Sequence, residues 1–98
     1  MSTLIYKKMA NKKLEQFITD NGLTFQKGSR NTDSTVLSGY ALHIGITNVN
    51  TVINSINTAL GSTTDDYKEE LKSVFSFAKS RDYGSWWNKP KAKEIYKF

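Results

Sequence analysis

Cysteine is absent from the chain, which excludes disulfides and thiolate metal sites. Histidine occurs once, at His43, so there is no His-rich metal cluster and no base for a Ser-His-Asp triad built elsewhere. Proline also occurs once, at Pro90, and no Gly/Ser-rich linker, internal repeat or low-complexity tract divides the chain. No stretch approaches the ~20 apolar residues of a membrane helix. Met1 to Lys8 lacks the apolar run of a secretion signal. With 98 residues, 38% of them apolar, a single domain over residues 1–98 with one small core is expected. The expectation is a soluble, cytoplasmic binding module without a metal or other cofactor.

Positive charge is plentiful: 14 Lys and Arg against 9 Asp and Glu leave a net +5. Residues 1–30 carry Lys7, Lys8, Lys12, Lys13, Lys27 and Arg30 against Glu15 and Asp20. Residues 31–78 are net acidic, through Asp33, Asp65, Asp66, Glu69 and Glu70 against Lys68 and Lys72. Residues 79–98 are basic again, with Lys79, Arg81, Lys89, Lys91, Lys93 and Lys97 against Asp82 and Glu94. Two basic ends that meet in space would form one face suited to a polyanion. If they do not meet, they form a solubilising surface.

Apolar spacing predicts helices throughout. Residues 1–9 read as a tail, and residues 10–21 as a first helix with Leu14, Phe17 and Ile18 inward and Asn21-Gly22 as its stop. A helix over 32–44 is preferred to a strand, with Asn31, Thr32 or Asp33 as N-cap, Gly45 as stop, and Gly39 permitting close packing. Thr47 is expected to cap a helix over 48–60 bearing Val49, Val52, Ile53, Ile56 and Leu60. Thr63 or Thr64 opens a helix to about Arg81, with its acidic residues at the dipole's positive end and Tyr67, Leu71, Val74, Phe75 and Ala78 buried. That placement explains the acidic cluster without catalysis. Gly84 breaks this helix, and Ser85 or Asn88 caps a short last one with Pro90 in its first turn. The fold class is all-α, a small bundle of four to five short helices.

Three features bear on function. Phe25 to Asn31 is a polar loop entering a helix N-terminus, where backbone N–H groups together with Lys27 and Arg30 suit a phosphate. The plainer reading makes Asn31 an N-cap and Arg30 an ion-pair partner. Tyr83-Gly84-Ser85-Trp86-Trp87 lies among Lys79, Arg81, Lys89, Lys91 and Lys93, a mixture that suits stacking of unpaired bases between phosphate contacts. Exposed Trp also anchors protein partners, and one of the two indoles is expected in the core. Finally, Ala41, Gly45 and Ile46 ahead of an Asn-rich helix face suggest a helix-turn-helix reading adenine edges, although that face has no Lys or Arg.

The order Phe25-x-x-Gly28-x-Arg30-Asn31, an apolar helix with Leu37 and Ala41, Gly45, an aliphatic helix through Val52, Ile53 and Ile56, Asn57, then Glu70-Leu71 to Ala78 resembles the primase C-terminal helical domain over about residues 25–82. That resemblance implies a small helix bundle engaging single-stranded template, and in some members nucleotide, with Arg30 and Asn31 as the matching residues. Family members are usually fused to a polymerising domain, so the resemblance implies a primase or polymerase catalytic subunit in trans. The Lys/Asn/Thr-rich composition suggests a low-GC host. The chain is also similar to small single-stranded-DNA-binding proteins encoded beside an A-family polymerase in staphylococcal cassette elements.

The expected function is a non-enzymatic single-stranded-DNA-binding accessory of a mobile-element primase or polymerase. Lys27, Arg30, Asn31, Lys79, Arg81, Lys89, Lys91 and Lys93 would hold the strand, and Tyr83, Trp86 or Trp87 would stack on bases. The alternatives are a duplex-reading regulator and a protein-interaction module or inhibitor whose tail inserts into a partner; Leu4-Ile5-Tyr6 and Ile95-Tyr96-Phe98 are docking candidates, with core packing the plainer reading of both. An enzyme is least supported, because no Walker-type glycine loop surrounds Gly28 or Gly45 and the carboxylates do not converge from separate elements.

Overall fold

The structure is a computed structural model that describes residues 3–98, with side chains from Met9 onward. The apolar spacing is realised as α1 (Thr3–Asp20), α2 (Arg30–His43), α3 (Val49–Leu60), α4 (Lys68–Ser80), a 3-10 helix (Tyr83–Asn88) and α5 (Pro90–Ile95). No strand occurs among the described residues. α1 packs chiefly on α3, while α2 packs chiefly on α4 and the 3-10 helix. Leu14, Leu37, Val52, Ile56 and Leu71 at the centre are fully buried. Each contributes about 1.5–3 kcal/mol of apolar transfer. The Cα radius of gyration, 12.6 Å, is that of one compact globule, and no described helix is long and apolar enough to cross a membrane.

Several boundaries differ from the sequence reading, each for a local reason. α1 reaches back to Thr3 because Thr3 to Asn11 contains no glycine or proline and several strong helix formers. Most of the expected tail is therefore helix. The side chains of Leu4, Ile5 and Tyr6, offered as a docking patch, lie outside the described residues. α2 starts two residues early, at Arg30 after Ser29, because Asp33 turns its carboxylate to the preceding loop instead of capping the helix. Asn48, not Thr47, caps α3, its Oδ1 accepting from Asn50 N–H at 2.9 Å. Thr63 Oγ1 accepts from Asp65 N–H, and one turn over 65–67 precedes α4.

The end of α4 also differs. Asp82, in the left-handed region at φ 53°, makes the break, and Gly84 serves packing instead. A Cβ at Gly84 would lie 3.1 Å from His43 N and from Leu42 Cβ. Pro90 takes the first position of α5 as expected, but Lys89 precedes it without a side-chain cap. Gly39 admits the Trp87 indole: a Cβ there would stand 2.7 Å from Nε1. Trp87 is thus the buried indole of the pair, and Trp86 is half-buried.

Candidate nucleic-acid interface

The Phe25–Asn31 loop is built around its own polar groups. Phe25 is buried with φ 54°, a conformation that a bulky residue seldom adopts. Its backbone is held on both sides: its N–H donates to Asp33 Oδ2 at 3.0 Å, and its carbonyl accepts from Arg30 Nε at 2.9 Å. The same carboxylate oxygen accepts from Thr24 N–H and Ser29 Oγ. The Arg30 guanidinium then lies 4.6 Å over the ring of Tyr67. Burial raises the Tyr67 phenol above its usual range, and the nearby Arg30 charge offsets part of that shift.

The phosphate-cradle reading of this loop loses Arg30, whose Nε is committed to the Phe25 carbonyl and whose guanidinium lies over Tyr67, while the buried Asp33 carboxylate serves the loop backbone and Ser29 and does not cap the helix. Asn31 Nδ2 lies 3.5 Å from Glu70 Oε1, and Lys27 is exposed at the loop tip. Arg30 and Gly39 are nine residues apart, which on an α-helix is about half a turn in direction and ~13.5 Å in height. Arg30 consequently faces away from the side of α2 that receives Trp87 and does not join the cations of the C-terminal segment.

The basic ends do meet, through Lys93 and two lysines outside the nominated set. Lys13, Gln16 and Asp20 of α1, His43 of α2 and Ile44 just beyond it, Asn88, and the C-terminal Lys93, Lys97 and Phe98 border a cleft of about 600 Å³. Phe17, Tyr40 and Trp87 complete its lining. Phe17 stacks on Tyr40 with ring centroids 4.2 Å apart, and Trp87 stands edge-on to both at 5.5 Å. Phe98 packs at 5.2 Å from Trp87 and 5.5 Å from Tyr40, yet remains 37% exposed. Lys93 Nζ sits 4.5 Å over the Phe98 ring and donates to the Phe98 carbonyl at 3.4 Å.

Asn21 secures this arrangement. Its side chain acts as a short piece of β-ladder: Lys97 N–H donates to Oδ1 at 2.8 Å, and Nδ2 donates to the Lys97 carbonyl at 2.9 Å. Nδ2 also reaches the Phe17 carbonyl. The sequence reading missed Lys13, Lys97, Phe98 and the latching role of Asn21. Lys13, Gln16, Phe17 and Asp20 do share one helical face, a signal legible beforehand. Nothing local indicates that the C-terminus docks on that face.

The other nominated residues are dispersed. Trp86 borders a separate apolar cavity of about 290 Å³ with Val36, Gly39, Tyr83 and Tyr96. Trp87, at 5% exposure, supports the cleft from beneath and is withdrawn as a stacking platform. The Arg81 guanidinium covers Phe77 at 5.0 Å, and Tyr83 meets that ring edge-on. Lys79 borders a shallow hollow with Asp82 and Asn88, while Lys89 and Lys91 are exposed. No group of three or more His, Asp or Glu able to hold a metal occurs among the described residues.

Of these residues, Lys13, Lys93 and Lys97 gather about the partly exposed Phe98, with Lys93 already lying over its ring. Comparison with protein-family models, curated proteins and solved structures gives no match.

Proposed function

We propose that the protein is a non-enzymatic single-stranded-DNA-binding accessory, working with a mobile-element primase or polymerase and holding its template. The observation that carries this reading is the cleft in which Lys13, Lys93 and Lys97 surround a partly exposed Phe98 on an aromatic floor. Base–aromatic stacking is worth about 1–3 kcal/mol per base and tolerates any sequence, while lysines supply the backbone attraction. The primase-domain resemblance over residues 25–82 supports the same reading. Its motif residues Phe25, Gly28 and Arg30 act here in loop architecture.

A titration of a labelled mixed-sequence oligonucleotide across a salt series tests the proposal. Three phosphate contacts give a slope of log K against log salt of about −2. Phe98→Ala and Lys93→Glu should each weaken binding, and a matched duplex should compete poorly. Absence of binding at low salt would overturn the reading. A duplex that outcompetes the single strand would favour the regulator.

The apolar cavity beside Trp86 favours a docking role in addition. Its occupant in this proposal is the primase or polymerase catalytic subunit. Trp86→Ala should release that partner and leave oligonucleotide affinity unchanged.

A further inference from the structure

The indole N–H of Trp87 is a donor without an acceptor. A buried indole usually finds a hydrogen-bond partner, yet Trp87, at 5% exposure, donates to no described residue. A Cβ on Gly39 would stand 2.7 Å from Nε1 and 3.6 Å from both Cδ1 and Cε2, so the N–H bond points toward Gly39. The unpaired side-chain atoms sealed from solvent are Ser34 Oγ, Ser38 Oγ and Asn57 Oδ1; Nε1 is not one of them and can be reached from outside. Gly39 borders the apolar cavity beside Trp86 and not the lysine cleft, which fixes the side of approach. The cavity, about 290 Å³, is roomier than the ~150 Å³ in which an engineered apolar cavity holds benzene. A cation adjoins it. Tyr83, on the cavity wall, meets Phe77 at 5.8 Å; Phe77 is 48% exposed, and the Arg81 guanidinium lies 5.0 Å over its ring. No carboxylate lies within ion-pair distance of Arg81, the one such pair among the described residues being Lys72–Glu69.

We infer that this cavity receives an acidic segment of the partner protein. A leucine-sized side chain enters beside Trp86, a main-chain carbonyl of the same segment accepts from Trp87 Nε1, and a carboxylate a few residues on pairs with Arg81. The inference deepens the docking reading above and rests on it. An aliphatic anchor brings in no polar atom besides the carbonyl that the indole satisfies. A nucleobase would bury edge donors and acceptors against apolar walls, where unpaired polar groups are costly. Extended chain advances ~3.3 Å per residue, so three or four residues cover the span from Tyr83 across Phe77 to Arg81.

The probe is an acetylated, amidated Gly-Ser peptide bearing one leucine and, three and four residues later, two aspartates. It is titrated into the nitrogen-15-labelled full chain, whose two indole N–H resonances are assigned with Trp86→Phe. The Trp87 Hε1 resonance should move downfield as it gains an acceptor, and alanine in place of the peptide's leucine should abolish the shift. Arg81→Glu, at an exposed position, should leave the core amide resonances in place and weaken the peptide by about twofold to fivefold, the range of one exposed ion pair. No binding at millimolar peptide, a Trp87 Hε1 resonance that stays fixed, an alanine peptide that binds equally well, or an indifferent Arg81→Glu would each overturn the inference. The docking reading would survive any of these as long as Trp86→Ala releases the catalytic subunit. Displacement of the bound peptide by a mixed-sequence oligonucleotide would assign the cavity to bases and bring down both.

Discussion

Replacing Gly39 with alanine sets two effects of known sign against each other. In the middle of a helix, alanine is favoured over glycine by about 1 kcal/mol. Here the new Cβ would lie 2.7 Å from Trp87 Nε1, inside any ordinary contact distance. The indole cannot simply swing aside, because Phe17, Tyr40, Tyr96 and Phe98 all pack against it with centroids 5.0–5.5 Å away. Overpacking of this kind costs typically about 1–3 kcal/mol. A net loss of about 1 kcal/mol is expected, lowering Tm by roughly 4–8 °C in a domain of this size.

Urea denaturation followed by far-UV circular dichroism measures the loss. Trp87→Phe supplies the second corner of a double-mutant cycle, since phenylalanine lacks the ring edge that clashes. In that background Gly39→Ala should become neutral or stabilising, a coupling of about 1 kcal/mol or more. An alanine variant as stable as wild type in the Trp87 background would refute the packing argument. It would also remove the support claimed for the Phe98 platform.

Three further outcomes follow from the same geometry. Asp33→Ala leaves the Thr24 and Phe25 N–H groups unpaired in a part-buried loop and should cost about 2–3 kcal/mol in urea unfolding. A loss below half a kcal/mol would show that the loop does not depend on that carboxylate. Asn21→Ala removes both bonds to the Lys97 backbone; hydrogen exchange of the Lys97 amide should accelerate and oligonucleotide affinity should fall, whereas an unchanged rate would deny the latch. Burial raises the phenols of Tyr40 and Tyr67 above their ordinary value of 10.0. The unfolded chain then ionises first, so stability should decline as pH climbs past about 10. The decline should be shallower in Tyr40→Phe and Tyr67→Phe. An equally steep decline in both variants would assign it to other groups.

The helices were legible because each apolar stripe has the period of its own helix, independent of any partner. Leu14, Phe17 and Ile18, then Val52, Ile53 and Ile56, then Leu71, Phe75 and Ala78, are buried as their spacing requires. Left-handed stops at Gly22, Gly45 and Gly61 were equally readable, since a positive φ is a local demand that glycine meets without strain. Caps were less so. Ser29, Asn31, Thr32 and Asp33 are all competent capping residues, and which one faces the helix depends on where the loop before it needs acceptors.

Sequence alone therefore determined the all-α class, one small core, and a surplus of cations at both ends, because periodicity and composition are properties of the chain itself. Only the tertiary structure decided which cations meet. Arg30 is turned away on α2 and tied to Phe25, whereas Lys13 is joined to Lys93 and Lys97 by the Asn21 latch, across 76 residues of sequence. Such a meeting is decided by the direction in which helices pack, which no window of neighbouring residues encodes.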